Sequence, residues 1–583
     1  MKIISLHNGH DASITALENG EILGHWELER VLNIKHFCGV DHGDEIFTTL
    51  INHVLPKLKW SIDDIDYIAF AGCTEWKRTT FYGSVPLYDK FDKDKPYAIG
   101  KMILLGNREI PCISIAHHVN HMAYAYYTSP FVNSMIFTWD GIGDGTSTMS
   151  GYGKANKLNV THIYSKDTPA GTSNNGVGLF YSYLGRLFPF LGGDLLATAG
   201  KAMGLSSYGQ PQESWRVQVR HTIREWMPRP EQLISMLSLN PQDLKSPTSK
   251  VAQDLMATIQ DELELYLLEA VSAMQKEYAG TGVSVKNICM AGGCALNVQA
   301  NSRLLSDGTI SNLYVPPATS DCGISIGAAL YLWHHVLENE FTGVDWHSPY
   351  LGDTMYNAPT DSNIQELMAK YSTLEYIKVE ESSVCETAAQ LLNKGKIIAW
   401  AQGRAEIGPR ALGNRSILSS AAPIDASDKS WPDKWKHDGG GTFKLTINEK
   451  VKHREYWRPF APIALIGDAL EYFDIDHPSP YMLESPLVRD WNTQEHGKYW
   501  QKIPAVVHVD GTCRVQTVSQ MTNLKMNLLL NEYKKLSGVG VLLNTSLNDR
   551  GRPIANTTED ILNLLKDSDL DYAFIGNYMF WKK

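Results

Sequence analysis

Apolar and polar residues alternate over short runs at the start of the chain. KIISLH (2–7) reads as a β run and ASITALENGEILGHWELE (12–29) continues it, with Asn19-Gly20 where a tight hairpin turn is required. The plan returns near residue 135. SMIFTWD (134–140) is apolar, GIGDG (141–145) reads as a turn, and TSTMSGYG (146–153) and LNVTHIYS (158–165) follow as two strands. In both places an acidic residue, Asp11 or Asp140, lies at or just after the end of the first run. Residues 251–279 carry apolar side chains three and four apart with few breakers, which predicts a long amphipathic helix. VKNICMAGGCALN (285–297) reads strand, glycine turn, helix. The polar, turn-rich stretch from about 338 to 372 marks a domain boundary. Beyond it a helix over 381–394 and the strand KIIAWAQ (396–402) restart an α/β pattern, and the chain closes on short strands in GVGVLLN (538–544) and YAFIGNYMFW (572–581).

The repeated strand–turn–strand plan is that of a two-lobed α/β architecture of the actin, hsp70 and sugar-kinase kind, in which paired units clamp nucleotide phosphates. A chain of 583 residues exceeds one ordinary core, so at least two domains are expected. The 43% hydrophobic and 20% charged content is that of a globular protein and argues against disorder. With 53 basic against 64 acidic residues the net charge is −11, which gives no global footprint for nucleic acid or an anionic membrane. No stretch approaches the roughly 18 apolar residues of a membrane span, and MKIISLHNGHDAS turns polar too early for a secretory signal. Eight cysteines without a CxxC pair fit a reducing, cytoplasmic setting.

Three constellations carry candidate chemistry. His117 and His121 are four apart, so on a helix both imidazoles leave one face and either hold one metal ion or form a histidine cluster without one. Asp140, ending a strand, and Asp321, before a glycine-rich helix start, would complete a two-histidine, two-carboxylate set suited to iron, manganese or zinc. Gly292-Gly293 with Asn297, and Lys201 in GKAMGL, are candidates for an adenylate or phosphate contact; a tight turn and a surface lysine are the plainer readings. The third set is basic. Between 404 and 458 there are eleven Lys/Arg against seven Asp/Glu, and Arg410, Arg415, Lys452, Arg454, Arg458 and Arg514 recur beside Gly, Pro and hydroxyl residues. Such arginine forks suit phosphates and carbamates, although solvated loops with salt bridges would show the same composition.

At these residues the chain resembles the NodU/CmcH family of O-carbamoyltransferases. The matching motifs run in family order over nearly the whole chain: HDAS (10–13), HHxxH (117–121), WDGxGD (139–144), GKxMGL (200–205), GGxALN (292–297), SDxGxxxGAAL (320–330), GRxExGPRALGNRSIL (403–418), KxRExWRPFAP (452–462), HVDGTxRVQTV (508–518) and NTSxNxRGxPI (544–554). The resemblance implies an actin-like domain over 1–350, a linker over 351–375 and a YrdC-like domain over 376–583. In such enzymes the C-terminal domain makes carbamoyl-adenylate from carbamoyl phosphate and Mg-ATP. The N-terminal domain then passes the carbamoyl group to a hydroxyl of a small molecule or glycan. Carried onto this chain, the ligands of an Fe2+ or other divalent ion are His117, His121, Asp140 and Asp321. Arg410, Lys452, Arg458, Arg514, Asn544 and Ser546 serve adenylation, and His10 is either the base for the acceptor hydroxyl, with Asp11 orienting it, or a ligand of the adenylate phosphate.

Two features depart from the family pattern: a dozen or so extra residues after NRSIL, and WELER where EEER is usual, with Glu29 and Arg30 kept and Lys35-His36 following. Trp76, Phe81, Tyr82, Tyr88, Trp431 and Trp435 either line an acceptor pocket or pack. A homodimer is the default assembly. Two other classes fit parts of the sequence: a fused tRNA threonylcarbamoylation enzyme, which would need a basic surface, and a non-catalytic ATP-binding actin-like protein.

Overall fold

Strands β1 (Lys2–His7), β2 (Ser13–Glu18) and β3 (Glu21–Glu27) form an antiparallel meander. Its first hairpin turns at Asn19 (φ 51°) and Gly20 (φ 91°), both in the left-handed region that a two-residue turn between right-twisted strands demands. In the computed structural model, which describes residues 1–72, 92–103, 109–165, 176–225, 228–422, 447–491 and 499–583, the meander opens the first of two units, Met1–His347 and Ser348–Lys583. β4 (Tyr67–Ala71) lies parallel to β1, β6 (Glu109–Ile115) parallel to β4, and β5 (Tyr97–Ile103) antiparallel to β6.

The second sheet repeats this plan. β7 (Asn133–Gly143), β8 (Thr146–Lys154) and β9 (Lys157–Ser165) are a meander, β10 (Asn287–Ala291) lies parallel to β7, and β11 (Asn312–Tyr314) completes the edge. The orders β3-β2-β1-β4-β6-β5 and β9-β8-β7-β10-β11 share the sequence third, second, first, then parallel strands, so the N-terminal unit has the two-lobed actin-like fold. The glycine-rich 141–145 segment is less of a turn than expected: β7 runs through Gly143, and only Asp144 (φ 50°) and Gly145 (φ 78°) reverse the chain.

Two wholly buried helices lie between the sheets. His117–Tyr127 packs on β7 and β10, Ile324–Leu330 packs on β1, β2 and β4, and the helices pack on one another. Gly327 permits their close approach, since a Cβ there would fall 1.9 Å from the Asn120 carbonyl oxygen. The long amphipathic helix runs Lys250–Tyr278 and buries Leu255, Ile259, Leu263 and Leu267 on one face.

The C-terminal unit is one mixed sheet, in the order β12 (Leu374–Lys378), β19 (Tyr578–Lys582), β18 (Tyr572–Ile575), β13 (Ile398–Ala401), β14 (Arg415–Ser420), β17 (Val541–Ser546), β15 (Ala461–Leu465), β16 (Gln516–Val518). Along β13, Ile398 and Trp400 face a core shared with helices Val384–Asn393 and Leu524–Ser537, while Ala399 and Ala401 face the larger core on the other side.

Residues 351–375 are not a linker. They hold the helix Ile364–Ala369 and lead into edge strand β12, and the Gly352 and Asp353 backbones exchange hydrogen bonds with Ala405. The segment reads as polar because only Ile364 and Leu367 of the helix turn inward and β12 keeps most of its residues half or fully exposed. No described helix is long and apolar enough to cross a membrane.

Candidate active sites

Four side chains from three elements converge in the N-terminal unit. His117 and His121 occupy one face of the first turns of their helix, Asp140 extends from β7, and Asp321 sits in the 3-10 turn Asp321–Gly323 that feeds helix Ile324–Leu330. All four are buried. His117 Nε2 lies 3.2 Å from His121 Nε2, 3.5 Å from Asp140 Oδ2 and 3.4 Å from Asp321 Oδ1; His121 Nε2 lies 3.7 and 3.3 Å from the same two oxygens. Donors at about 2.0–2.2 Å from one tetrahedral ion stand roughly 3.3–3.6 Å apart, so the spacing and the donor set fit a divalent metal ion.

The surroundings hold these four side chains in place. The Gly293 N–H donates to Asp140 Oδ1 (2.8 Å), and the His117 N–H donates to Asp144 Oδ2 (3.0 Å). A Cβ on Gly143 would meet the His117 ring at 2.1 Å, and one on Gly292 (φ 101°) would meet the Trp139 carbonyl oxygen at 2.3 Å. The third histidine of the motif, His118, turns away to Thr138 Oγ1 (2.8 Å) and the Thr146 carbonyl (3.0 Å). Burial and the Asp321 charge push the Asp140 carboxyl upward, but hydrogen bonds from His117 and His121 outweigh them and hold it far below the carboxylate range. Asp321 is likewise raised by burial and more strongly lowered by His117 and His10.

His10 stands at the edge of this centre with Nε2 3.2 Å from Asp321 Oδ2 and Nδ1 3.3 Å from Asp11 Oδ2. The Asp321 charge raises it to about 10 against the opposing effect of burial, and the Asp11 hydrogen bond adds to the rise. Beneath it the buried His7, which the sequence did not single out, meets the His10 carbonyl (3.0 Å) and is pushed down to about 4 by burial.

The proposed adenylate contacts of this unit have structural occupations. Gly292 and Gly293 shape and support the Asp140 turn. Asn297 caps helix Val298–Ser306 through the Ala300 N–H (3.1 Å) and pairs amide to amide with Gln260 at 2.9 and 3.1 Å. Lys201 donates to the Leu191 carbonyl at 2.7 Å.

In the C-terminal unit the basic residues sort by what they touch. Arg415 is wholly buried and donates to the carbonyls of Gln402 (2.9 Å), Asn414 (2.8 Å), Asp353 (3.2 Å) and Gly403 (3.1 Å), so it ties backbone together and is not the anion contact expected of it. Lys452 clamps the end of β17 through the Ser546 carbonyl (2.6 Å) and the side-chain and main-chain oxygens of Asn548, with 2.7 Å to Oδ1. Ser546 donates to the same Asn548 Oδ1 (2.6 Å), and Asn544 donates to the Ala411 carbonyl (3.0 Å) beneath the Arg410 loop.

Arg410, Arg454, Arg458 and Arg514 form a further cluster, in which Arg458 depresses Arg410 and Arg454 and all three depress Arg514. Burial leads in each case, joined by Arg458 acting on Arg410 (to about 10) and on Arg454, and by Arg410, Arg454 and Arg458 together acting on Arg514. Arg454, to which the motif gave no role, is steadied by Asn448 Oδ1 (2.6 Å) and by the Phe460 ring at 4.6 Å. Glu455 faces Arg458 at 3.8 Å and Arg550 at 3.3 Å. Among the described residues Arg514 Nε has no hydrogen-bond partner. Four half-buried arginines crowded in this way suit a polyanion.

Buried Glu406, also unmarked by the sequence reading, accepts the N–H groups of Leu412 (2.5 Å), Asn414 (3.3 Å) and Arg415 (3.2 Å) and so folds the Arg410 loop. The segment after NRSIL is described only as far as Ala422, and the rest of it, with the aromatics Trp76, Phe81, Tyr82, Tyr88, Trp431 and Trp435, lies outside the described residues.

Both units match family models: residues 99–330 the carbamoyltransferase N-terminus, and residues 389–431 and 437–582 the carbamoyltransferase C-terminus. Nodulation protein NolO of Bradyrhizobium diazoefficiens is 30% identical over 80% of this chain and 79% of its own length. Nodulation protein U of Rhizobium tropici is 28% identical over 95% and 92%. An uncharacterized Synechocystis protein is 29% identical over 98% and 95%. A match of that length, reaching across both the histidine–aspartate centre and the arginine cluster, means that this transferase belongs to the carbamoyltransferase family.

Proposed function

We propose that the protein O-carbamoylates a hydroxyl of a small-molecule or glycan acceptor in two stages, with carbamoyl-adenylate as the intermediate. The observation that carries this reading is the pairing of a cluster of arginines close enough to repel one another with a separate buried two-histidine, two-carboxylate centre, one in each unit. A single displacement would not need both.

In the C-terminal unit, Arg410, Arg458 and Arg514 hold the phosphates of ATP and carbamoyl phosphate, while Lys452, Asn544 and Ser546 keep the facing strand end in place. Carbamoyl phosphate loses phosphate to water. The carbamate oxygen then attacks the α-phosphorus of ATP and pyrophosphate leaves. In the N-terminal unit, His117, His121, Asp140 and Asp321 would hold a divalent ion such as iron(II), manganese or zinc. Bound there, it would draw the adenylate phosphate and neutralise Asp321, removing the attraction that keeps a proton on His10. His10, with Asp11 behind Nδ1, takes the proton of the acceptor hydroxyl through Nε2 as that oxygen attacks the carbamoyl carbon and AMP departs.

The test needs no acceptor. Protein incubated with ATP, Mg2+ and carbamoyl phosphate should release AMP and pyrophosphate, and with bicarbonate and threonine in place of carbamoyl phosphate it should not. ADP alone, or pyrophosphate only in the bicarbonate–threonine tube, would sink the reading.

A further inference from the structure

The segment from Asn33 to Val40 lies against the turn that carries His10. His10 and Cys38 form an antiparallel bridge, the Ala12 N–H donates to the Phe37 carbonyl (3.1 Å), and the Val40 N–H donates to the Asn8 carbonyl (2.9 Å). Across this contact the side chains form one line. Asp321 Oδ2 meets His10 Nε2 (3.2 Å), His10 Nδ1 meets Asp11 Oδ2 (3.3 Å), and Asp11 Oδ1 meets His36 Nδ1 (2.9 Å). The far end is anchored by buried Glu29, which accepts the His36 backbone N–H (3.0 Å) and the Lys35 ammonium at 2.9 and 2.8 Å. Asp11, His36 and Glu29 thus form a hydrogen-bonded bracket.

His10 needs such a bracket because its side chain is 43% exposed, so packing does not fix the ring. Its direction depends on the partner at Nδ1. That partner, the Asp11 carboxylate, rotates broadly unless its second oxygen is also held. Asp11 (φ 56°) and His36 (φ 54°) both adopt the left-handed backbone conformation.

We propose that His36 is a positioning residue: by holding Asp11 Oδ1 it aims Oδ2 at His10 Nδ1 and thereby sets His10 Nε2 toward the transfer centre. The inference rests on the transfer role given to His10 above. It predicts a pair of variants with opposite outcomes in the full chain. His36→Gly accepts the left-handed backbone but removes the donor. His36→Asn accepts the same backbone and keeps an N–H near the Nδ1 position.

With carbamoyl-adenylate supplied directly and water as the acceptor, AMP release by His36→Gly should fall about 10- to 100-fold in kcat, the scale of a misplacement near 1 Å, with KM within about twofold. His36→Asn should recover to within about threefold of wild type. Metal content, and pyrophosphate release from ATP and carbamoyl phosphate, should stay within about twofold in both, which separates misplacement from misfolding. Unchanged kcat in His36→Gly, or no recovery in His36→Asn, overturns the proposal. The downfield imidazole proton of His10, assigned by its loss in His10→Ala, tests the positioning alone: it should shift in His36→Gly and return in His36→Asn, and a resonance that stays put overturns the idea. Wild type no faster than His10→Ala would instead discard the transfer reading, leaving that resonance to decide the geometry.

Discussion

Arg514→Met should stabilise the protein while crippling adenylation. The guanidinium is half-buried, faces Arg410, Arg454 and Arg458, and its Nε lacks a partner among the described residues. Methionine keeps most of the aliphatic volume and removes a charge whose burial and repulsion oppose folding, a relief of about 1–3 kcal/mol. For a domain of this size that corresponds to roughly 2–4 °C in Tm per kcal/mol. A hydrogen-bonded contact to a charged phosphate contributes about 1.5–3 kcal/mol, so kcat/KM for pyrophosphate release should fall roughly 10- to 150-fold. The assay is a continuous pyrophosphate readout against ATP and carbamoyl phosphate concentration, with thermal unfolding on the same preparations. Pyrophosphate added at about a hundred times its Kd should stabilise wild type by about 2.7 kcal/mol and the variant much less. A lower Tm with unchanged pyrophosphate release would refute the argument, because it would make Arg514 a structural cation and move the polyphosphate site elsewhere.

His121→Ala removes one of four donors and should abolish stoichiometric metal in elemental analysis after gel filtration, while pyrophosphate release persists; metal retained at full stoichiometry would remove the site. Arg415→Met removes a donor from four buried backbone carbonyls, of which Asp353 and Asn414 keep the Ala405 and Gln402 N–H groups, and should destabilise by roughly 3 kcal/mol in denaturant titration, with no rescue by phosphate. His25 and His347 are buried and pushed down to about 3, burial being the leading cause in both. The unfolded chain takes up protons at these positions below its ordinary pKa near 6.5, while the folded chain does not until about 3. Stability therefore falls as pH drops from 6.5 toward 3, by about 1.4 kcal/mol per pH unit for each histidine. His347→Phe should flatten the acid limb of Tm against pH, and an unchanged slope would show that His347 is protonated in the folded protein.

Much of the N-terminal unit could be read from the chain. The period-two runs located β1–β3 and β7–β9, Asn19-Gly20 located the first turn, and the three-and-four spacing located Lys250–Tyr278 within a residue at each end. The histidine–aspartate centre was partly legible, since His117 and His121 are local on one helix, and their spacing alone aligns them. The 351–375 segment misled because a short helix and an edge strand bury few side chains and so look like a loop.

What the sequence by itself determined was therefore local: strand and helix periods, turn residues, and the order of motifs that identifies the family. What only the tertiary structure decided was which polar groups remain available for chemistry. Arg415 and Arg514 are both arginines in strong motifs, yet one spends its donors on four carbonyls and the other faces three like charges. Asp140 and Asp321 are 181 positions apart, and only the packing of β7 and the two central helices brings their oxygens to the same imidazoles. His36 reaches Asp11 across 25 residues for the same reason. A hydrogen bond or a Coulomb interaction depends on distances of a few ångströms, and when residues are far apart in the chain those distances are properties of the fold.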